Sequence, residues 1–158
     1  MFLAYFSLFA IFYAIGNSKL FKDVKNFKNS YLVIGSFATV VLLISMSFDW
    51  FWMDLYRLEF IFLSNEFIVA SLLFILASII LGFHLRNKKL IDFKPIYFAY
   101  LIFFILIVAN LPVYFSIIII NLILLFIGVY TIKQGEDKNH LGILNYGLLI
   151  LTALVISR

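Results

Sequence analysis

Cysteine is absent from this chain, and proline, glycine and charge are scarce. Without cysteine the protein forms no disulfides, uses no thiolate chemistry and holds no cysteine zinc site. It has only two prolines and seven glycines, few of the interruptions that mark the broken helices of transporters. Charged residues make up 13% of the sequence and apolar residues 65%, too apolar a balance for a water-soluble chain of 158 residues.

What the chain has instead is six long apolar runs separated by short polar loops. Residues 72–76 and 117–120 are apolar on every side, unlike the alternating strands of a barrel. In lipid, only helices and closed barrels satisfy their backbone hydrogen bonds. We therefore predict an all-α fold, a polytopic transmembrane helix bundle with about six membrane-spanning helices in a single domain, 1–158. The predicted spans are 1–16, 31–48, 67–83, 95–109, 113–132 and 141–157.

The boundary between spans four and five is predicted from the length of an uncharged segment. Residues 95–132 contain 38 residues without a charge. As one helix they would be about 57 Å long, whereas the hydrocarbon core of a bilayer is about 30 Å thick. Asn110-Leu111-Pro112 is the expected turn, because proline removes a backbone donor and disfavours helix in its predecessor. Residues 133–140 are predicted to form a charged loop, and residues 55–63 an interfacial helical turn or two.

Basic residues gather in alternate loops. Loops one, three and five carry four, four and two of them, and the opposite side has only Arg57 and Arg158. This positive-inside distribution places the lysine-rich loops in the cytoplasm and both termini of this chain outside. The net charge of +4 then reflects topology, and we predict no nucleic-acid partner. The aromatic stretch 48–52 is expected at the outer face, where such rings favour the headgroup layer.

Polar side chains within apolar spans are the first functional candidates, and charged ones rank highest. The predicted spans contain no clearly buried charge. Glu66, at the outer end of span three, is the nearest, and its position also suits the start of a helix. Asn121, Asn145 and Tyr146 are the other ligand-binding candidates. No catalytic residue, metal ligand set or cofactor is predicted.

Small and polar residues recur at seven-residue intervals along three spans. Such rows are typical of helix–helix contacts in lipid. They also permit a polar cavity shared by spans three, five and six. The rows are Ser64, Ser71 and Ser78 with Gly82, then Tyr114, Asn121 and Gly128, and finally Asn145 and Thr152.

Three functions are compatible with these features. The leading hypothesis is an integral membrane protein without enzymatic activity, a structural or complex-forming component whose partners are membrane lipids, other membrane helices or a second copy. The alternative is a small-molecule transporter or binding protein that uses the four polar candidates. A third is a membrane-embedded lipid-modifying enzyme acting through His84, Asp92, Asp137 or His140, although their spacing matches no recognised ligand motif.

The last 31 residues carry a family resemblance. The segment GVYTIKQGEDKNHLGILNYGLLILTALVISR, residues 128–158, resembles the domain-of-unknown-function 2157 family of predicted bacterial polytopic membrane proteins. The likeness lies in a charged turn followed by Asn-x-Gly-Leu-Leu at 145–149 and an arginine at 158, and residues 47–50 are similar as well. The resemblance implies a bacterial inner membrane, further helices beyond Arg158 and no established activity. We accordingly expect the chain to be part of a longer polytopic protein.

Overall fold

A computed structural model of the protein describes residues 2–18, 29–57, 65–86, 95–109 and 111–156. Over these residues the fold is all-α, with seven helices and no strand, which confirms the predicted class. The helices are α1 (Phe2–Gly16), α2 (Ser30–Met46), α3 (Asp49–Arg57), α4 (Asn65–Arg86), α5 (Pro95–Ala109), α6 (Val113–Asp137) and α7 (Leu141–Ile156).

Two of these helices are long and apolar enough to cross a membrane unaided. They are α4, over Asn65–Phe83, and α6, over Val113–Asp137. A third span is available if α2 and α3 count together, although they are bent by 89°. The helices α1 and α7 are apolar but shorter, with 15 and 16 residues. Within the described ranges, length and composition therefore support two or three spans, and the number six stays a prediction.

The corner between α2 and α3 was not predicted. Span two was expected to run to residue 48, but α2 ends at Met46 and a new helix begins at Asp49, six residues before the expected interfacial turn at 55. The indole Nε1 of Trp52 donates a hydrogen bond of 2.8 Å to the Met46 carbonyl, an acceptor that the end of α2 leaves without a helical partner. Asp49 also places a carboxylate in the first turn of α3, where the helix dipole favours it.

The predicted loop at 133–140 is wrong in its first five residues, because α6 continues to Asp137. The helix then closes with a Schellman motif. The N–H of His140 donates to the Gly135 carbonyl at 2.9 Å, and that of Asn139 to the Glu136 carbonyl at 2.9 Å. Asn139 adopts the left-handed conformation that this motif requires, with φ of 47°. The connection to α7 is therefore only three residues long.

The chain divides into two compact units. The first contains Met1–Thr39 and Leu58–Leu101, and the second contains Val40–Arg57 and Ile102–Arg158. The description of 1–158 as one transmembrane domain stays a prediction.

In the first unit, α1 packs on α4 through small side chains. Ala10 and Ala14 of α1 are buried, as are Ala70 and Ala77 of α4. Small residues allow two helix backbones to approach closely and so increase their van der Waals contact. The start of α5 completes this core with three buried residues, Ile96, Tyr97 and Tyr100.

In the second unit, α6 and α7 form an antiparallel pair, and α3 also contacts α6. The buried side of α6 includes Ile120, Leu124 and Ile127, which recur every three or four residues. The buried residues of α7 are Ile143, Gly147 and Ile150. Phe51 and Trp52 of α3 are fully buried as well.

Candidate functional site

The predicted small-residue row of α4 is not the most buried side of this helix, although Ser71 is half-buried. Ser78 and Gly82 are exposed, and a Cβ built on Gly82 would meet nothing within 4 Å. The buried residues are Ala70, Ala77 and Leu81, which lie on a neighbouring row of the same helix. Ser64 falls outside the described residues.

The rows predicted on α6 and α7 are only partly correct. Gly128 is buried against Leu151, whereas Tyr114 at the head of the same row is 80% exposed. Asn145 and Thr152 of α7 are both exposed. Gly128 of the predicted α6 row therefore lies in the contact with α7, whereas the predicted α7 residues Asn145 and Thr152 are outside it.

The contact between α6 and α7 is instead set by a reciprocal pair of glycines. A Cβ on Gly135 would collide with the backbone nitrogen, Cα and Cβ of Leu144. A Cβ on Gly147 would lie 2.7 Å from the backbone nitrogen of Ile132 and 2.9 Å from the Gly128 carbonyl. Real Cβ atoms do not come this close, so the two backbones touch only because both positions lack a side chain.

The same arrangement occurs between α1 and α2. A Cβ on Gly16 would lie 2.5 Å from the backbone nitrogen of Leu32, and one on Gly35 would lie 2.5 Å from that of Tyr13. In both hairpins each helix contributes a large residue followed three positions later by glycine, and the two helices run antiparallel. These segments are Tyr13–Gly16 with Leu32–Gly35, and Ile132–Gly135 with Leu144–Gly147.

A cluster of amide and phenol groups lies at the end of the α1–α2 contact. Asn29 is 3% exposed, and its Nδ2 donates a hydrogen bond of 2.6 Å to the Gly16 carbonyl. Its Oδ1 accepts from the backbone N–H of Leu32 at 3.2 Å, which makes Asn29 the N-cap of α2. Asn17 Nδ2 donates to the Tyr97 hydroxyl at 3.1 Å. One amide therefore joins the end of α1 to the start of α2, and another joins α1 to α5.

An aromatic stack extends this cluster. The ring of Tyr100 lies 5.7 Å from that of Phe6, with their planes 7° apart, and 6.2 Å from that of Phe74, with planes 22° apart. Tyr13 meets Tyr97 edge-on at 5.2 Å. These contacts connect α1, α4 and α5 within the first unit. The sequence analysis does not identify them, because each contact joins residues that are distant in the chain.

The four predicted site residues are divided between the two units. Glu66 is exposed in the first turn of α4, in the first unit. Asn121, Asn145 and Tyr146 belong to the second unit, where Asn145 is exposed and Tyr146 half-buried. Asn121 Nδ2 donates to the Ile117 carbonyl of its own helix at 2.7 Å. The role of these residues in ligand binding stays a prediction.

Every charged residue whose side chain the structure describes is exposed. The set consists of Asp49, Asp54, Glu66, Lys133, Glu136, Asp137 and Lys138. Asp92 and the side chain of His84, which the enzyme hypothesis requires, lie outside the described residues. His140 and Asp137 are exposed at the α6–α7 turn. In this part of the chain the buried polar groups are neutral amides and hydroxyls.

These features define a class, an all-α protein with helices apolar enough for a membrane and packed through glycine, alanine and neutral hydrogen-bonding groups. No family model, no curated protein and no solved structure matches the chain. Its resemblance to the domain-of-unknown-function 2157 family therefore stays a prediction.

Proposed function

We propose that this protein is a non-enzymatic, complex-forming component of a bacterial inner membrane. In this proposal α1, α2 and α4–α7 each cross the bilayer, while α3 lies at its surface. The observation that carries the proposal is the contrast between a neutral, helix-joining interior and described charges that are all exposed. Charged side chains inside a membrane are functional candidates by default, and none of those that the structure describes is buried.

The short helices are compatible with this topology. With 15, 15 and 16 residues, α1, α5 and α7 are about 22–24 Å long at 1.5 Å per residue. That is less than a hydrocarbon thickness of about 30 Å, so these helices require local thinning or flanking polar groups that reach the interface. Mismatch of this kind also favours association with other helices.

The exposed surface of α4 supports a role in assembly. Leu72 and Ile75 are 63% and 54% exposed, and they lie on the side opposite the alanines that contact α1. Such a surface is covered by lipid or by another helix, and we propose that part of it contacts partner helices in a larger bundle.

The test is extraction of the protein from its membrane in polymer-bounded lipid discs, followed by mass measurement. A complex-forming component gives particles whose protein mass exceeds the 18.4 kDa of one chain. A monomer that turns over a phospholipid or transports a solute into sealed vesicles contradicts the proposal.

One observation favours the transporter or binding alternative. Ser116 Oγ and Asn121 Oδ1, both on α6, are buried and have no hydrogen-bond partner in the described part of the chain. Polar atoms left unsatisfied in an apolar interior cost about 1–3 kcal/mol each, unless a ligand or water pairs with them. If a polar solute binds there, it raises the melting temperature of the native protein and has no such effect on the Asn121→Leu variant.

A further inference from the structure

The helix α3 has two distinct sides. Phe51, Trp52 and Leu55 are 1%, 0% and 9% exposed and form the buried side. Trp50 and Met53 are 50% and 49% exposed on the opposite side. Residues three and four apart are neighbours on a helix surface, so Trp50 and Met53 adjoin each other on the outer side.

Carboxylates border this apolar pair. Asp49 and Asp54 are both exposed. Asp49 lies one turn before Met53, and Asp54 lies one turn after Trp50, so one acid stands on each side of the pair. The ring of Phe48 stacks on that of Trp50, with centroids 6.5 Å apart, and widens the apolar centre. Asp49, Trp50, Met53 and Asp54 together form the outer face of α3.

The corner with α2 fixes the direction of this helix. The axes of α2 and α3 differ by 89°. The bond from the Trp52 indole to the Met46 carbonyl and the contact of α3 with α6 hold the buried side in place. If α2 crosses the bilayer, α3 lies parallel to its surface.

The outer face suits the zwitterionic headgroup layer. Trp50 and Met53 prefer a medium less polar than water, whereas Asp49 and Asp54 require water or a cation. The headgroups of phosphatidylethanolamine and phosphatidylcholine supply an apolar boundary together with an ammonium group. Ammonium groups also bind over the face of tryptophan. Anionic headgroups are repelled by both carboxylates.

We propose that the outer face of α3 binds the ammonium-bearing headgroups of zwitterionic phospholipids in the outer leaflet. This inference rests on the proposed membrane crossing of α2. It adds a lipid preference and assigns the two tryptophans different surroundings, Trp50 in the headgroup layer and Trp52 inside the protein.

The experiment uses the absence of native cysteine. Met53→Cys and, as a matched control, Leu125→Cys on the 50%-exposed side of α6 are spin-labelled in the full chain and reconstituted in phosphatidylcholine vesicles. Collision with oxygen and with a water-soluble nickel chelate reports the depth of each label. We expect the label at position 125 to collide with oxygen alone. The label at position 53 should show a nickel accessibility between that of position 125 and that of a label in water.

Lipid preference is measured on Trp52→Phe, in which Trp50 is the sole tryptophan. In mixed vesicles we expect brominated phosphatidylcholine to quench Trp50 at least about twofold more than brominated phosphatidylglycerol does, because Asp49 and Asp54 repel the anionic headgroup of the second lipid. Trp50→Phe, which retains the buried Trp52, should show little quenching by either lipid. If Trp52→Phe does not fold, the quenching of Trp50 is obtained from the difference between the native chain and Trp50→Phe, since Trp52 is buried.

The outcomes separate the two proposals. Full nickel access at Met53, with Leu125 still in lipid, overturns the headgroup site and indicates a water-facing surface for a protein partner, leaving the membrane proposal intact. Equal quenching by the two lipids overturns the preference. Nickel access at Leu125 overturns the membrane proposal itself.

Discussion

At the scale of single residues, the surroundings of a glycine decide its role. Gly82 and Gly135 are both helical glycines, yet a Cβ at Gly82 meets open space and one at Gly135 collides with the backbone of Leu144. The sequence alone does not distinguish them, because the distinction depends on a second helix. Only the packed hairpin shows which glycine allows a close approach.

We predict that Gly135→Ala and Gly147→Ala each destabilise the protein by about 1–3 kcal/mol, the usual cost of forcing extra atoms into a packed contact. Gly82→Ala, the matched control, should be neutral or stabilising by up to about 1 kcal/mol, because alanine favours helix. Unfolding in mixed micelles followed by circular dichroism measures all three. Equal effects at the three sites would contradict the close contact.

The side chain of Asn29 makes two hydrogen bonds that stabilise the α1–α2 hairpin. It caps α2 and holds the last carbonyl of α1. Loss of a cap costs about 1 kcal/mol, and an unsatisfied buried carbonyl costs about 1–3 kcal/mol.

We therefore expect Asn29→Ala to lower the free energy of unfolding by about 2 kcal/mol or more. Asn145→Ala, at an exposed asparagine on α7, should change it by no more than about 0.5 kcal/mol. The same micelle unfolding assay compares them. A larger effect at Asn145 than at Asn29 would contradict the double role of the Asn29 side chain.

At the scale of helices, the sequence predicted α1 and α5 closely, since α1 ends where a polar segment begins and α5 ends before the Asn110-Leu111-Pro112 turn. The predicted loop at 133–140 is wrong at Lys133, Glu136 and Asp137, which all belong to α6. Charged residues are compatible with a helix that extends beyond the apolar layer, and the chain turns only where Asn139 accepts a left-handed conformation.

The repeated glycine pairing predicts the register of both hairpins. The Cβ of Tyr13 lies 3.0 Å from a Cβ built on Gly35. Disulfides need Cβ atoms about 3.5–4.5 Å apart, a distance reached by a small separation of the helices. We expect Tyr13→Cys with Gly35→Cys to form a disulfide readily under mild oxidation.

The matched control is Ile15→Cys with Gly35→Cys, because two residues along a helix rotate the side chain by about 200°. Gel mobility after protease cleavage between the cysteines reports the bond. A bond formed faster in the control pair would show that the register is wrong.

At the scale of the whole molecule, the distribution of lysine predicts how the chain is threaded. Lys25 and Lys88 lie outside the described residues, so the prediction rests on the sequence. Single cysteines at these two positions should react with an impermeant maleimide only in inverted vesicles. Asp54→Cys should react with the same maleimide in cells whose outer membrane has been permeabilised. Labelling of positions 25 and 88 from opposite sides of the membrane would refute the topology.

The sequence by itself determined the all-α class and the apolar character of the helices, because both follow from composition and from the need of each backbone to satisfy its own hydrogen bonds. The tertiary structure alone decided which faces meet, where α2 turns into α3, and which polar groups are buried. These depend on the fit between surfaces distant in sequence, such as Gly16 against Leu32 or Asn17 against Tyr97. Local periodicity does not encode that fit, since a row of small residues is equally regular whether it faces a neighbouring helix or lies exposed.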